Sequence, residues 1–433
     1  MTHVWLTELR RSVFRFAAPL LAVAYLALML SRLQAWRGVW PAASAQIGAH
    51  WIFIGPIVAG LAAWETARRR GHLETSSRQE TRCLFAPLLA AQLAWTGLIV
   101  LVAAVCAAVA SWATDAPSGF LWPSYLVLTA ALAVECVAVG HLLGRICRPD
   151  WFGPVLAVLL IFLRIVMFSS AATGSYRSAF ARIVLGGQPH VGLNSWAVAC
   201  AAVEAGLLVA AALVVPPLID RIRTAKSGRV LALGRPGMVT SVVGAIVFAV
   251  GVAAVFTSPS VHEERTPPDE LLCTDTGIRL CIWPEHEVYL PALTIVAEEA
   301  DNVALELGEE ASGQLNEFGL DWTTGNFSLI NSSTWFLSDA LADVIVDSLA
   351  PLPCVPAEHD QAYEPYVDAF WHASAMVRLM LEDAPPPTGT GDTTGVDQAA
   401  LVREWEAGPA AQHAWVERYT GEMREAAARM ACE

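Results

Sequence analysis

Three ionisable residues inside long apolar segments are the part of this sequence best suited to chemistry. Glu135, Arg164 and Glu204 each lie within a different segment, and His141 lies nearer the end of the segment that holds Glu135. A charge at the centre of a bilayer costs roughly 2.5–3.5 kcal/mol on insertion scales, so we expect Arg164 to pair with Glu135 or Glu204. Such a group can line a substrate path, relay charge, or act only as an interhelical ion pair that fixes packing.

A second charged group occupies the loop after the second apolar segment. Its members mix both signs of charge over ten residues: Glu65, Arg68, Arg69, Arg70, Gly71, Leu73 and Glu74. Gly71 is expected to interrupt the basic run, and a short polar helix is expected to begin near Glu74. The basic flank of a membrane span explains the arginines, but it does not explain Glu65 or the Gly-x-Leu-Glu step.

The acidic C-terminal part lacks the motifs of common hydrolases. Neither of its His-Glu steps is followed by the second histidine of a His-Glu-x-x-His zinc site, and Gly-x-Ser-x-Gly is absent. Glu364, Asp368 and His372 share one helix face, where they could bind a divalent ion, although an exposed acidic helix shows the same pattern. We predict no enzymatic activity, no metal site and no cofactor.

These groups belong to two parts of opposite charge. Residues 1–257 hold 20 Arg and Lys and 9 Asp and Glu, a net charge of +11. Residues 258–433 hold 7 and 32, a net charge of −25. The long apolar segments lie in the basic part. The contrast predicts a membrane domain at 1–257 and an acidic soluble domain at 258–433, joined by a polar tether at 258–272.

Seven segments of the basic part reach or approach the roughly 20 apolar residues that a membrane-spanning helix needs. They are 14–30, 51–64, 84–112, 121–143, 151–171, 195–218 and 238–256. The second is the weakest, because it is short and contains Gly55, Pro56 and Gly60. Residues 4–14 predict either an amphipathic helix along the membrane surface, with its arginines toward anionic lipid headgroups, or an extension of the first span.

Loop charges and cysteines predict the orientation. If the N-terminus is cytoplasmic, inner loops hold 15 Arg and Lys and outer loops hold 4, so the acidic domain is expected outside. In an oxidising compartment its four cysteines predict two disulfides, preferably Cys273–Cys281 and Cys354–Cys432, and reduced thiols are the alternative. The domain is expected to be small and mainly helical α+β. Strands are predicted at 277–283 and 327–330, and helices at 285–307, 338–349, 361–381 and 410–430.

The loop from Glu65 to Glu74 resembles the first cytoplasmic loop of membrane (permease) subunits of type-2 ABC exporters. That family has a Glu-Arg-x-x-Gly-Thr-Leu-Glu-like loop, whereas here Glu65 is three residues from the nearest arginine and His72 replaces the usual threonine. The resemblance covers roughly residues 1–220. It implies a coupling helix that docks on a separate ATP-binding subunit, and a homodimer or a pair with a related second permease. Lys226-Ser227 lacks the glycines of a phosphate loop, so ATP would be bound by the partner.

The sequence thus predicts an all-α polytopic membrane bundle of about seven spans plus an extracytoplasmic α+β domain. We expect it in the plasma (inner) membrane of a bacterium, in contact with membrane lipid and not with nucleic acid. The expected function is a permease-like subunit of an ATP-driven exporter. The alternative is a membrane-anchored receptor or sensor whose outer domain binds a ligand or partner.

Overall fold

The computed structural model divides into two compact units, Met1–Glu264 and Arg265–Glu433, and each is described by itself. The division falls shortly after the change in charge at residue 257. The residues described are 2–73, 78–114, 116, 118–167, 183–184, 187–226, 260–310, 312–321, 326–330, 333–335, 337–352, 362–386 and 396–430.

Unit 1 is a helical bundle with one short β-ribbon. Its helices and strands are α1 (Thr2–Arg11), α2 (Phe14–Leu30), a 3-10 turn (Leu33–Ala35), α3 (Trp40–Ala49), α4 (Trp51–Leu73), α5 (Arg78–Trp112), α6 (Pro123–Ile146), α7 (Phe152–Met167), β1 (Val191–Leu193), α8 (Ser195–Lys226) and β2 (His262–Glu264).

Four helices of the described part are long and apolar enough to cross a membrane. They are Trp40–Arg70 (α3 together with most of α4), Phe85–Trp112 in α5, Pro123–Ile146 (α6) and Ser195–Pro216 in α8. Helices α1 and α2, bent by 56° at their junction, make a fifth if they form one broken span. Helix α7 has only 16 residues, and the predicted segment 238–256 lies outside the described residues. Among the described residues the structure therefore supports four or five candidate spans, and the predicted number of about seven stays a prediction.

The second predicted segment is longer and more central than the sequence indicated. It begins at Trp40, and 67% of its most apolar window is buried inside unit 1. A Cβ atom at Gly55 would lie 3.1 Å from the sulfur of Cys136 in α6, and one at Gly60 would lie 2.7 Å from a methyl group of Val158 in α7. The glycines that weakened the prediction are positions of close helix packing.

Helix α6 supplies the opposite side of this contact. A Cβ atom at Gly140 would overlap the carbonyl oxygen of Ala59, and one at Gly144 would overlap that of Ala63. Two glycines four residues apart on one face let the backbones of α4 and α6 approach closely. This pair of helices forms the centre of unit 1.

The predicted tether is partly structured. Strand β2 pairs antiparallel with β1, in a register that sets Val191 opposite Glu264. Val261, just before β2, is 1% exposed and packs in a hydrophobic cluster of unit 1. Residues 261–264 therefore belong to unit 1, because a buried apolar side chain and backbone hydrogen bonds hold them there.

Unit 2 is an α+β fold. Its elements are β3 (Leu272–Cys273), β4 (Ile278–Ile282), a 3-10 helix (Pro284–Tyr289), α9 (Leu290–Glu306), β5 (Gly313–Glu317), β6 (Asn326–Ile330), β7 (Ser333–Trp335), α10 (Leu337–Leu349), α11 (Tyr363–Glu382), α12 (Gln398–Glu406) and α13 (Pro409–Ala427).

The five strands of unit 2 form one mixed sheet in the order β3-β4-β5-β6-β7. The pairs β4–β5 and β5–β6 are parallel, and the two outer pairs are antiparallel. Helix α9 makes the crossover that the parallel pair β4–β5 requires. Ile278, Leu280, Ile345 and Met376 are fully buried in the core. The predicted strands and helices are confirmed, but β3, β5, β7 and α12 were missed because they are short or polar.

Candidate functional site

The end of α4 carries a buried carboxylate that joins three parts of unit 1. Glu65 is 2% exposed. Its Oε1 accepts a hydrogen bond from the backbone N–H of Val13 at 2.8 Å, and its Oε2 accepts from the Ser12 hydroxyl at 3.0 Å and the Gln92 amide at 3.1 Å. Val13 precedes the first turn of α2, where N–H groups lack intrahelical acceptors and a negative charge is favoured. Glu65 therefore fixes the α1–α2 junction to α4 and α5.

Gln92 extends this network to α6. Its Nε2 lies 3.4 Å from the hydroxyl oxygen of Thr66, and its Oε1 lies 3.0 Å from Nδ1 of His141. The Thr66 hydroxyl is 3.3 Å from the same nitrogen. Because the Gln92 oxygen only accepts, Nδ1 carries a proton in this arrangement. Thr66, Gln92 and His141 are all fully buried or nearly so, so the network holds α4, α5 and α6 in one relative position.

Arg70 ties the same helix end to the C-terminal end of α6. Its guanidinium donates to the backbone carbonyls of Gly144, Arg145 and Cys147, at distances of 2.7–3.1 Å. It also pairs with Asp150. The last carbonyls of a helix have no intrahelical donors, and a cation stabilises them. Arg70 therefore acts as a cap for α6 and links α4 to the turn before α7.

The other two arginines of the run have separate partners. Arg69 pairs with Glu8 of α1 at 3.2 Å. Arg68 is exposed, and its guanidinium lies 5.0 Å from the ring centre of Trp64, a cation–π contact. Of the predicted loop residues, Glu65 and Arg70 face the bundle, and Arg68 faces outward.

The rest of the predicted loop differs from expectation. Helix α4 continues through Gly71 to Leu73, so Gly71 ends the run of arginines but does not end the helix. A glycine inside a helix costs only about 1 kcal/mol relative to alanine, and the contacts of Arg69 and Arg70 hold the preceding turn. Nothing is described of the surroundings of Gly71 or of the side chain of Leu73, and Glu74 lies outside the described residues. A polar helix starting at Glu74 therefore stays a prediction.

The structure brings together all three ionisable residues from the apolar segments. Arg164 of α7 contacts the carboxylate of Glu135 in α6 through Nε, and its Nη2 donates to Oε1 of Glu204 in α8 at 2.9 Å. The Glu135 side chain is 3% exposed, and those of Arg164 and Glu204 are 24% and 17% exposed. The cluster joins three helices and leaves part of its polar surface open, which is compatible with both a packing tie and a path lining.

The cysteines divide as follows. Cys273 and Cys281 lie at disulfide distance, with an S–S separation of 2.09 Å, and join opposite residues of β3 and β4. This is the first of the two pairs that the sequence favoured. Cys354 and Cys432 lie outside the described residues, so the second pair stays a prediction.

The candidate ion-binding face of unit 2 is used for packing. Nδ1 of His372 lies 2.8 Å from the backbone oxygen of Asp368, and its Nε2 accepts from the N–H of Asp397 at 3.4 Å. Its ring stacks on Tyr419 with centroids 4.5 Å apart. Both ring nitrogens thus have protein partners. The side chains of Glu364 and Asp368 are exposed, and Oδ2 of Asp368 lies 3.9 Å from Nδ1 of His372. Among the described residues no group of three or more His, Cys, Asp and Glu is arranged to hold a metal ion.

Sequence reasoning missed several members of the network at the end of α4. Ser12 and Gln92 received no role, although Gln92 is a polar residue inside an apolar segment, and that is the signal by which it could have been found. His141 was noticed only for its place near the end of its segment, and no partner was predicted for it. Gly140 and Gly144 are a small-x-x-x-small pattern that was not recognised.

Comparisons with known proteins identify no relative. No family model, no curated protein and no solved structure matches the chain. The fold and the contacts around α4 therefore carry the functional argument alone.

Proposed function

We propose that this chain is a permease-like membrane subunit of an ATP-driven exporter, whose ATP-binding subunit is a separate chain. The supporting observation is the convergence of contacts on the last turns of α4. Glu65 and Arg69 bind the α1–α2 region, Gln92 connects α5, and Arg70 holds the end of α6. A displacement of the loop after α4 would thus reach α1, α2, α5 and α6 together.

Such convergence suits a coupling element. A partner that moves the loop after α4 must act on a rigid lever if its motion is to change the bundle, because packed helices shift between discrete arrangements. Buried hydrogen bonds to a carboxylate are among the stronger polar contacts in proteins, and they sit where the resemblance predicts docking. The partner complex would be a homodimer or would include a related second permease.

The proposed topology places the N-terminus and the end of α4 in the cytoplasm and unit 2 outside the plasma membrane of a bacterium. The excess of arginines in the inner loops supports it. The Cys273–Cys281 pair supports it as well, because disulfides persist in oxidising compartments. A membrane-impermeant maleimide on intact cells should label Glu417→Cys and spare Arg11→Cys. The opposite pattern would refute the topology.

A receptor or sensor is the second candidate. The observation that favours it is that unit 2 has its own core and divides cleanly from unit 1, as a ligand-binding domain would. In that case the partner inside the cell would be a kinase or regulator in place of an ATP-driven motor.

The deciding experiment is purification of the full chain from its native membranes in mild detergent, followed by 8-azido-ATP photolabelling and ATPase assay. We expect a separate labelled subunit and ATP hydrolysis. Scrambling residues 74–82 should remove that subunit, whereas scrambling 387–395 in the acidic part should retain it. If the subunit is retained with 74–82 scrambled, the coupling role is wrong. A kinase or regulator without a labelled transport ATPase would favour the sensor.

A further inference from the structure

Among the described residues, the polar contacts of helix α1 with the bundle lie along one face. Glu8 pairs with Arg69 at 3.2 Å, and one turn later Ser12 donates to Glu65 at 3.0 Å. The indole N–H of Trp95 in α5 donates to the backbone oxygen of Leu9 at 3.1 Å. These contacts fix the rotation of α1 about its axis and decide which of its residues are left outside.

The outer side of α1 and its surroundings combine arginines with exposed apolar residues. Val4, Trp5 and Leu6 are 37–43% exposed. Four exposed arginines lie near the junction of α1 with α2 and at the end of α4, and together they are called here the arginine surface: Arg10, Arg11, Arg15 and Arg68.

Two of these arginines lie over exposed aromatic rings. The guanidinium of Arg15 is 5.4 Å from the ring centre of Phe16, and that of Arg68 is 5.0 Å from that of Trp64. Phe16 is 71% exposed and Trp64 is 40% exposed. Aromatic rings paired with cations that reach past them are typical of the boundary between acyl chains and headgroups.

The surface also carries an excess of positive charge. Within the described part of the chain, none of its four arginines forms an ion pair with a carboxylate. Glu8 is engaged by Arg69, and Glu65 is buried among hydrogen-bond donors. The arginine surface therefore has charge available for an anion supplied from outside the chain.

We propose that the arginine surface binds the headgroups of anionic phospholipids in the leaflet that contacts α1. The apolar side of α2 continues directly from it, since Phe16, Leu20 and Val23 are among the most exposed residues of unit 1. A phosphate at the arginines would thus have its acyl chains beside exposed apolar side chains. An acidic protein surface would use the arginines but would leave that apolar continuation uncovered, so the observations favour a lipid.

The test is native mass spectrometry of the full chain in detergent, titrated with phosphatidylglycerol or phosphatidylcholine. Phosphatidylglycerol should bind more tightly, and each arginine near an anionic surface contributes about fivefold in affinity. Arg11→Gln with Arg15→Gln should lower phosphatidylglycerol affinity on the order of 20-fold. The corresponding lysine pair should retain most of the affinity, because lysine preserves the charge.

The matched control is Arg32→Gln with Arg37→Gln, which removes two exposed arginines from the other end of α2 and should leave the affinity unchanged. If both double-glutamine variants lost phosphatidylglycerol affinity equally, net charge alone would explain the effect, and the proposal would be overturned. Displacement of the lipid by millimolar inorganic phosphate would overturn it in favour of a simple anion site. Unchanged lipid affinity with loss of a co-purifying protein would overturn it in favour of a protein contact.

Discussion

Large apolar residues are exposed far more often in unit 1 than in unit 2, although both units bury some of them. In unit 1, Phe16 and Leu20 of α2 are 71% and 73% exposed, while the carboxylate of Glu65 is buried. In unit 2, Ile278 and Ile345 are fully buried, and most of its many carboxylates lie on the surface. The exposure of large apolar residues thus differs between the two units, and the boundary between the units falls close to the change in charge near residue 257.

The difference indicates that the two units are folded against different solvents. Burial of apolar surface is favourable only when that surface leaves water. Unit 2 has such a core and fewer exposed large apolar side chains, as expected of a fold in water. Unit 1 also buries large side chains such as Phe14, Trp36 and Trp51, but many of its other large apolar side chains face outward, as expected where lipid surrounds the helices.

Within unit 1, the buried share of each span separates central from peripheral helices. The α4 and α6 spans are each 67% buried over their most apolar window, whereas the α5 and α8 spans are 28% buried. The central helices contain the glycines at which neighbouring helices approach most closely: Gly55, Gly60, Gly140 and Gly144. The peripheral helices need an apolar side toward lipid, and they are therefore the easiest to find by hydropathy.

The largest expected effect is on the central contact. Gly140→Leu would force a side chain against the backbone of Ala59 and should cost more than about 3 kcal/mol, with loss of most folded protein. Gly97→Leu in α5 is the control, since a Cβ there meets no described atom within 4 Å. Size-exclusion yield and thermal unfolding in detergent measure both. Equal stability of the two variants would remove the distinction between central and peripheral helices.

The next effect concerns the polar tie between α6, α7 and α8. Arg164→Gln leaves Glu135 and Glu204 without their shared guanidinium and should cost about 3 kcal/mol of unfolding free energy in detergent. Adding Glu135→Gln to it should restore part of the loss, because fewer charges then stay buried. Arg32→Gln, on an exposed loop, is the comparison. A loss no larger than that of Arg32→Gln would mean that the cluster does not hold the helices together.

A smaller effect is expected at the α1–α2 junction. Glu65→Ala removes the acceptor of three hydrogen bonds from a buried site and should cost about 2 kcal/mol. Limited trypsin cleavage after Arg10 and Arg11 should become faster, since α1 is then held less firmly. Glu8→Ala loses a single ion pair, whose Arg69 partner is partly exposed, and should cost about 1 kcal/mol. Equal cleavage rates in the two variants would contradict a special role for Glu65.

The smallest effect tests unit 2 as a water-soluble fold. Burial raises the pKa of Asp343 in α10, and the neighbouring Asp339 and Asp347 raise it further, against the opposing effect of the nearby Ser374 hydroxyl. A raised carboxyl pKa favours folding at low pH, and this contribution is lost as the pH rises through the folded value. Asp343→Asn should therefore stabilise unit 2 at neutral pH, by on the order of 0.5 kcal/mol, and the gain should vanish in acid.

Unfolding of the full chain, followed at neutral pH and below the ordinary aspartate pKa of about 3.9, measures this difference. Asp347→Asn, on the exposed side of the same helix, is the matched variant and should change stability little at either pH. A loss of stability in Asp343→Asn at neutral pH would show that the carboxylate is needed in its charged form.

Much of the architecture followed from local patterns. The helices of unit 2 and the strand at 278–282 were predicted near their observed bounds, because amphipathic spacing and alternation are local properties. Strand β5 was missed because its sequence, Gly-Gln-Leu-Asn-Glu, has only one large apolar residue. Its parallel pairing with β4, a strand earlier in the chain, is not visible in a local pattern. The second span was underrated because a hydropathy argument penalises Gly55 and Gly60, which a neighbouring helix makes favourable.

The candidate site was predicted by residue type and not by arrangement. The sequence singled out Glu65 and Arg70 for a partner-facing loop, whereas their observed contacts are with Val13, Gln92 and the end of α6. Those partners lie up to 77 residues away in sequence, and no spacing rule relates them. The disulfide pair was easier, because Cys273 and Cys281 are separated by 8 residues.

The sequence by itself determined the division into a basic, apolar part and an acidic, polar part, since composition and charge set where apolar surface is tolerated. It also determined most helices, because their hydrogen bonds close within a few residues. Only the tertiary structure decided that α4 and α6 are central, that Arg164 meets both carboxylates, and that Glu65 faces inward. Those outcomes depend on which helices become neighbours, and that choice is made by packing between segments far apart in the chain.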